Sequence, residues 1–290
     1  MNGPYTAAVS PAAEGSAVVA PDPGRVAALS YFFPAHDEAE NIEALVDEAL
    51  AALPALAGQF EIIAVDDGSR DATPAIADRL AAEHAGVIRA VHHDVNRGYG
   101  AALRSGFGAA QFPLVGFTDG DRQFRVADLR LLLERLEAPD RPDAVVGYRL
   151  RRADSRLRLA YARAYRASLR LFFGLAVHDV DCACKVFRRD ALADVRVESG
   201  GAFLSAELLI KLVARGGKVV EVGVPHYPRL AGRASGANPR VVGRAVRDFW
   251  LLRLRLWANP RRALARGTRV LGDAGREVAG QESAGREPAG

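Results

Sequence analysis

The stretch Phe117-Thr118-Asp119-Gly120-Asp121-Arg122-Gln123-Phe124 decides how this chain is read. It sets two carboxylates two residues apart, directly after the apolar run Phe112 to Phe117, which reads as a buried strand. Gly120 lets the backbone turn sharply between them. Two Asp side chains at the carboxyl end of a strand can hold one hard divalent ion through oxygen. Mg²⁺ commonly takes one or two protein carboxylates and completes its shell with substrate phosphate oxygens. That chemistry suits the carrying of a nucleoside diphosphate. An isolated Asp-x-Asp also caps turns and helices, so other segments have to agree with it.

Upstream segments do agree. Glu61-Ile62-Ile63-Ala64-Val65 reads as a short strand running into Asp66-Asp67-Gly68-Ser69 and then a helix. Ala28 to Phe33 reads as an earlier strand, followed by Pro34-Ala35-His36-Asp37-Glu38-Ala39-Glu40-Asn41. The helix beyond it places Ile42, Leu45, Val46 and Ala49 on one face. Asn96-Arg97-Gly98-Tyr99-Gly100 is a Gly-rich turn entering a third helix, whose backbone N–H groups and Arg97 are expected to face phosphate. Ligands of open α/β sheets bind beyond the carboxyl ends of strands. Four polar strand ends in one α/β unit favour a nucleotide-sugar site over separate caps and packing glycines.

These motifs, with Gly147-Tyr148-Arg149, Asp181-Cys182-Ala183-Cys184-Lys185 and His226-Tyr227-Pro228-Arg229, occur in the order of a known family. The chain resembles family 2 glycosyltransferases of the GT-A fold. More narrowly, it resembles the branch with dolichyl-phosphate mannose synthase and bacterial polyprenyl-phosphate glycosyltransferases. The resemblance implies a Rossmann-like α/β fold with a mostly parallel central sheet flanked by helices. It implies an inverting, metal-dependent transfer of a sugar from a UDP- or GDP-sugar to a polyprenyl phosphate at the cytoplasmic face of the membrane. Asp119, Asp121 and Gln123 then stand at the positions that hold Mg²⁺ or Mn²⁺. Pro34, His36, Glu38, Asp67, Asn96, Arg97, Asp119 and Arg229 are expected on the donor, with Arg229 clamping its diphosphate. Arg149 and Arg163 match a pair of acceptor-phosphate arginines; the guanidinium fork suits bidentate phosphate contacts. Asp121 and Glu207 are the catalytic candidates. Glu207 would act if a base is used, or else it complements the dipole at a helix start. Two alternatives stay open: the same fold acting on a soluble sugar or glycan, and a nucleotidyltransferase. The acidic Pro34–Asn41 segment, where a nucleotidyltransferase carries a basic Gly-rich loop, argues against the latter.

At 290 residues with 49% hydrophobic residues, the chain is long enough to bury one α/β core. The expected organisation is an Ala/Pro/Gly-rich disordered arm over 1–25, a catalytic domain over 26–258 and a disordered tail over 270–290. No basic-then-apolar leader and no apolar run of the ~18 residues that a membrane span needs are seen. Cys182 and Cys184 are too few for a structural zinc site and are expected as small buried side chains. His84, His92 and His93 are expected at the surface, and His226 either near the site or in a structural role.

Lysine occurs only at 185, 211 and 218, so arginine supplies 36 of the 39 basic residues. From Arg229 to Arg269 eleven arginines face a single acid, Asp248. Such a cluster seeks phosphate. Ser155–Phe173 and about 238–257 read as basic amphipathic helices; in the second, Arg240, Arg244 and Arg247 oppose Val242, Ala245, Phe249, Leu252 and Leu256, and Arg253 breaks the pattern. With Trp250 and Trp257 it reads either as an interfacial anchor on an anionic membrane or as a helix packed on the domain with a solvated basic side. No nucleic-acid-binding signature is present, and none is expected as a partner. The expected place is cytoplasmic, peripheral to the inner face of the plasma membrane.

Overall fold

The alternation of apolar strands and amphipathic helices builds a layered α/β domain. The computed structural model describes residues 25–150, 156–229 and 239–271. In chain order the elements are β1 Val26–Ala35, α1 Ile42–Leu56, β2 Ala57–Asp66, α2 Thr73–Glu83, β3 Ile88–His92, α3 Tyr99–Ala109, β4 Leu114–Phe117, α4 Leu129–Leu136 and β5 Ala144–Arg149. They continue with α5 Arg156–Phe173, β6 Lys185–Arg188, α6 Arg189–Leu192, β7 Arg196–Val197, α7 Leu204–Ala214, β8 Val219–Val224, α8 Pro239–Ala258, α9 Pro260–Ala265 and β9 Thr268–Arg269.

Among the described residues, seven strands form one sheet in the order β3-β2-β1-β4-β6-β5-β8. β1 lies parallel to β2 and β4, β2 to β3, and β5 to β8. Only β6 runs against its neighbours β4 and β5. The sheet is therefore mostly parallel, as the resemblance implied. Consecutive residues Tyr31, Phe32 and Phe33 of β1 are all fully buried. Successive side chains of a strand point to opposite faces, so both faces of this strand are covered. Phe32 sits 5.0 Å from Phe107 of α3 and 5.1 Å from Phe117 of β4, ring to ring. Gly106 lets α3 lie flat on Phe32, since a Cβ there would come within 2.2 Å of the ring. Ile42, Leu45, Val46, Ala49 and Leu53 of α1 are buried in the 3.6-residue rhythm.

The chain runs β1 to β2 to β3 in one direction and then places β4 on the other side of β1. The connections diverge between β1 and β4, which opens a crevice beyond their carboxyl ends. Packing extends further along the chain than the boundary near 258. Val270 and Leu271 are buried, and Val270 N–H bonds the Val195 carbonyl at 2.9 Å, because β9 pairs antiparallel with β7. The remainder of the expected arm and tail lies outside the described residues.

Candidate active site

The ends of β1, β2 and β4 bring the sequence motifs together at the crevice. Gly120 packs against the end of β1: a Cβ there would stand 2.7 Å from the Pro34 carbonyl oxygen. The turn that it permits aims Asp119 and Asp121 outward from β4. Tyr99 of α3 donates its hydroxyl to Asp119 Oδ1 at 2.9 Å. The Gln123 N–H bonds Asp121 Oδ1 at 3.1 Å. Gln123 and Tyr227 are laced by two bonds, Tyr227 N–H to the Gln123 carbonyl at 3.0 Å and Gln123 Nε2 to the Tyr227 carbonyl at 3.3 Å. That lacing carries Arg229 over the site, where its Nη2 lies 2.6 Å from Asp121 Oδ2 and its Nη1 3.3 Å from Glu38 Oε1. The His226 ring packs on Phe124 at 5.2 Å. Behind the cluster the buried Lys185 donates to the Cys182 carbonyl and lies 5.4 Å over the Phe117 ring.

The electrostatics follow from crowding acids in a half-buried crevice. Burial, reinforced by the Asp121 charge, pushes the Asp119 carboxyl up to about 7. Burial also raises Glu38, opposed by its bonds from Asn41 and by the Arg229 charge. Burial lowers the Lys185 ammonium. Among the described residues no three His, Cys, Asp or Glu side chains are grouped as a ready-made metal centre. The protein offers a pair of carboxylates, an oxygen set suited to a hard cation that takes its remaining ligands from phosphate and water. A cation shared by Asp119 and Asp121 would offset both the burial and the repulsion that raise Asp119, so the residues fit such an ion. The thiols are inert: Cys182 and Cys184 are buried, and burial pushes Cys182 up to about 11.

Asp67 holds a loop. Its Oδ1 accepts from the Arg97 N–H at 2.9 Å and from the His93 ring at 2.6 Å, and its Oδ2 from the Gly98 N–H at 2.8 Å. The N–H groups of Arg97 and Gly98, expected to face phosphate, are therefore turned to Asp67. His93 is buried and also meets Ser105 Oγ at 2.7 Å, a correction to its expected surface position. His92 bridges Asp66 and Asp78 at 3.0 and 2.9 Å. The side chains of Asn96 and Arg97 are exposed at the rim. His36 is 39% exposed beside Asp37, whose φ of +54° marks a tight turn after β1. Ser69 Oγ accepts the Asp37 N–H at 3.0 Å, and Asp37 Oδ1 accepts the Arg70 N–H at 2.8 Å, clamping the β1 and β2 loops together.

Two expectations change. Glu207 is buried, with Oε1 accepting the Glu198 N–H at 2.9 Å, Oε2 accepting the Ser199 N–H at 2.8 Å, and Lys211 Nζ at 2.8 Å. It holds the turn that packs Gly200 against Gly98 and Gly100. That geometry spends the carboxylate on structure, which departs from the expectation of a base. Arg149 is forked onto Asp179, Nε to Oδ2 at 2.6 Å and Nη2 to Oδ1 at 2.9 Å, so the fork expected for an acceptor phosphate engages a carboxylate. Arg163 is exposed on α5. Tyr99 and Asp179 were not singled out, and His93 was read only as a surface residue. Tyr99 lay within a quoted motif, but its bond to Asp119 spans 20 residues and has no local signature.

The family model described as glycosyl transferase family 2 matches residues 30–196. Glycosyltransferase AglD of Haloferax volcanii is 36% identical over 209 residues, covering 69% of this chain and 33% of that protein. The chain thus spans about a third of that relative's length. Polyprenol monophosphomannose synthase of Mycolicibacterium smegmatis is 29% identical over 237 residues, covering 77% of this chain and 86% of the relative. The fold is shared with glucosyl-3-phosphoglycerate synthase from Mycobacterium tuberculosis, solved with Mn²⁺, UDP and glucosyl-3-phosphoglycerate. The TM-score is 0.60 at 21% identity, over 80% of this chain and 79% of that one.

Proposed function

Because the chain belongs to glycosyl transferase family 2, we propose that it moves a sugar from a nucleoside diphosphate donor to a polyprenyl phosphate at the cytoplasmic face of the plasma membrane. The observation that carries the reading is the meeting of Asp119, Asp121 and Arg229 at the crevice between β1 and β4. The alignment of the polyprenol monophosphomannose synthase over most of both chains supports the lipid acceptor.

In this reading Asp119 and Asp121, with the Gln123 amide, hold Mg²⁺ or Mn²⁺, which neutralises charge on the leaving diphosphate. Arg229 moves from Asp121 and Glu38 onto the donor diphosphate, a charge-assisted contact that guanidinium forks favour. Pro34, His36, Glu38, Asp67, Asn96 and Arg97 line the nucleoside side, with Asp67 acting through the loop it fixes. An acceptor phosphate oxygen forms the new bond to the anomeric carbon as the bond from that carbon to the diphosphate breaks, with inversion. The oxygen is already anionic near neutral pH, so no base is needed; positioning and electrostatics supply the rate. Arg163 and, after release from Asp179, Arg149 receive the acceptor phosphate. Among the described residues no helix is long and apolar enough to cross a membrane. The test is incubation with a panel of UDP- and GDP-sugars, Mg²⁺ or Mn²⁺ and polyprenyl phosphate. A sugar recovered in the lipid phase supports the proposal; transfer only to water-soluble acceptors, or to none, contradicts it.

A further inference from the structure

Helix α8 carries two apolar rows. Phe249 and Leu252 are buried, and Ala245 and Leu256 pack on the core beside them. A second row, Val242, Val246, Trp250, Leu254 and Trp257, stays exposed, from 46% at Trp250 to 77% at Trp257. At 3.6 residues per turn these five positions lie within about 120° of the helix surface and extend for about 22 Å. They are separate from the row that faces the core. The surface continues onto α5, where the Phe172 ring meets Trp250 at 5.1 Å and neighbouring Leu171 is 78% exposed. An apolar row of this extent marks an interaction face.

Charge says what covers it. Helices α5 and α8 together contain ten arginines and one acid, Asp248, which is itself bonded to Arg247 at 2.9 Å and to Ser199 at 3.0 Å. A second copy of this chain would set arginine against arginine. An anionic bilayer offers an apolar interior beneath phosphate headgroups, which matches an apolar row bordered by arginine. Each helix is also the next element after a site arginine, α5 after Arg149 at the end of β5 and α8 after Arg229 in the segment that follows β8.

We propose that the outward row of α8, with the adjoining end of α5, is the surface by which this protein docks on an anionic lipid bilayer, the apolar side chains entering the headgroup region and the arginines meeting lipid phosphate. The proposal rests on the lipid-acceptor reading for its purpose, but its test is separate. Both tryptophans of the chain lie in this row, so their emission reports docking without a label. Phosphatidylglycerol-containing vesicles at low salt are expected to shift that emission to the blue, and brominated acyl chains to quench it. The variant Val246→Gln/Leu254→Gln/Trp257→Gln, at three exposed positions, is expected to sediment with vesicles at least about tenfold less, with unchanged UDP or GDP binding and thermal midpoint. It should transfer sugar normally to a short, water-soluble prenyl phosphate but poorly to polyprenyl phosphate in vesicles. Unmoved emission in the wild type, vesicle binding by the variant equal to wild type, or a dimer in the ultracentrifuge that the three substitutions dissociate would each overturn the proposal. Vesicle binding lost in the variant, with no transfer by either protein to any prenyl phosphate, would uphold the docking surface and remove the lipid-acceptor reading.

Discussion

The Arg229 guanidinium lies 2.6 Å from Asp121, 108 residues before it, and, through its other nitrogen, 3.3 Å from Glu38, 191 residues before it, tying the loop after β4 to the loop after β1. The same two carboxylates flank the place where a donor diphosphate is proposed to lie. Arg229→Ala is expected to weaken UDP or GDP binding about tenfold to a hundredfold, the scale of one or two charge-assisted hydrogen bonds. Titration calorimetry checks this; unchanged nucleotide affinity would remove Arg229 from the donor site.

The raised Asp119 carboxyl has a signed consequence for stability. Its pKa rises from 3.8 to about 7 in the fold, so between those pH values the folded chain holds a proton that the unfolded chain has lost. Stability from this group falls as pH rises through that window. In metal-free buffer Asp119→Asn should therefore melt above wild type at about pH 8, with the difference shrinking as pH falls toward 4. Thermal melts across that range in chelator decide it. A variant less stable than wild type at the upper end would mean that Asp119 is held charged by a partner.

Glu207 and Lys211 are both buried and lie 2.8 Å apart. Removing one member of such a pair leaves an uncompensated charge and costs about 3–5 kcal/mol. Glu207→Gln is expected to lower stability by that order in denaturant melts, and Glu207→Gln/Lys211→Met to recover part of it. A Glu207→Gln protein of normal stability with a collapsed kcat would restore Glu207 as a base.

The acceptor assignment separates two arginines. Arg163→Ala is expected to raise KM for the lipid phosphate at least about tenfold and leave nucleotide affinity unchanged. Arg149→Lys loses a fork that holds Asp179, so it should reduce both acceptor use and thermal stability. Steady-state kinetics with calorimetry distinguishes these outcomes; lost donor affinity with intact acceptor KM would reverse the assignment.

What was legible in the sequence was local. The Asp119-Gly120-Asp121 spacing after an apolar run, the Asp66-Asp67 end of β2 and the rhythm of α1 each depend on neighbours a few residues away, and each lies where it was read. The partners were not legible, because residue type does not say which distant group it will meet. Arg149 finds Asp179 and His93 finds Asp67, separations of 30 and 26 residues. Glu207 reads as a helix-start acid, and only the turn at 198–199 reveals what its oxygens hold. In α8 the basic side was visible, but two apolar rows compete for the core, and the surroundings select the one containing Phe249 and Leu252.

Asp119 and Asp121 are proposed to carry a metal-bound donor diphosphate whose sugar goes to a lipid phosphate. The most direct measurement follows labelled sugar from the donor into polyprenyl phosphate in the wild type, in the wild type with excess chelator, and in Asp121→Asn. Transfer is expected from the wild type, none in chelator until Mg²⁺ or Mn²⁺ is restored, and a loss of at least about a hundredfold in the variant. Full turnover in chelator, or by Asp121→Asn, would contradict it.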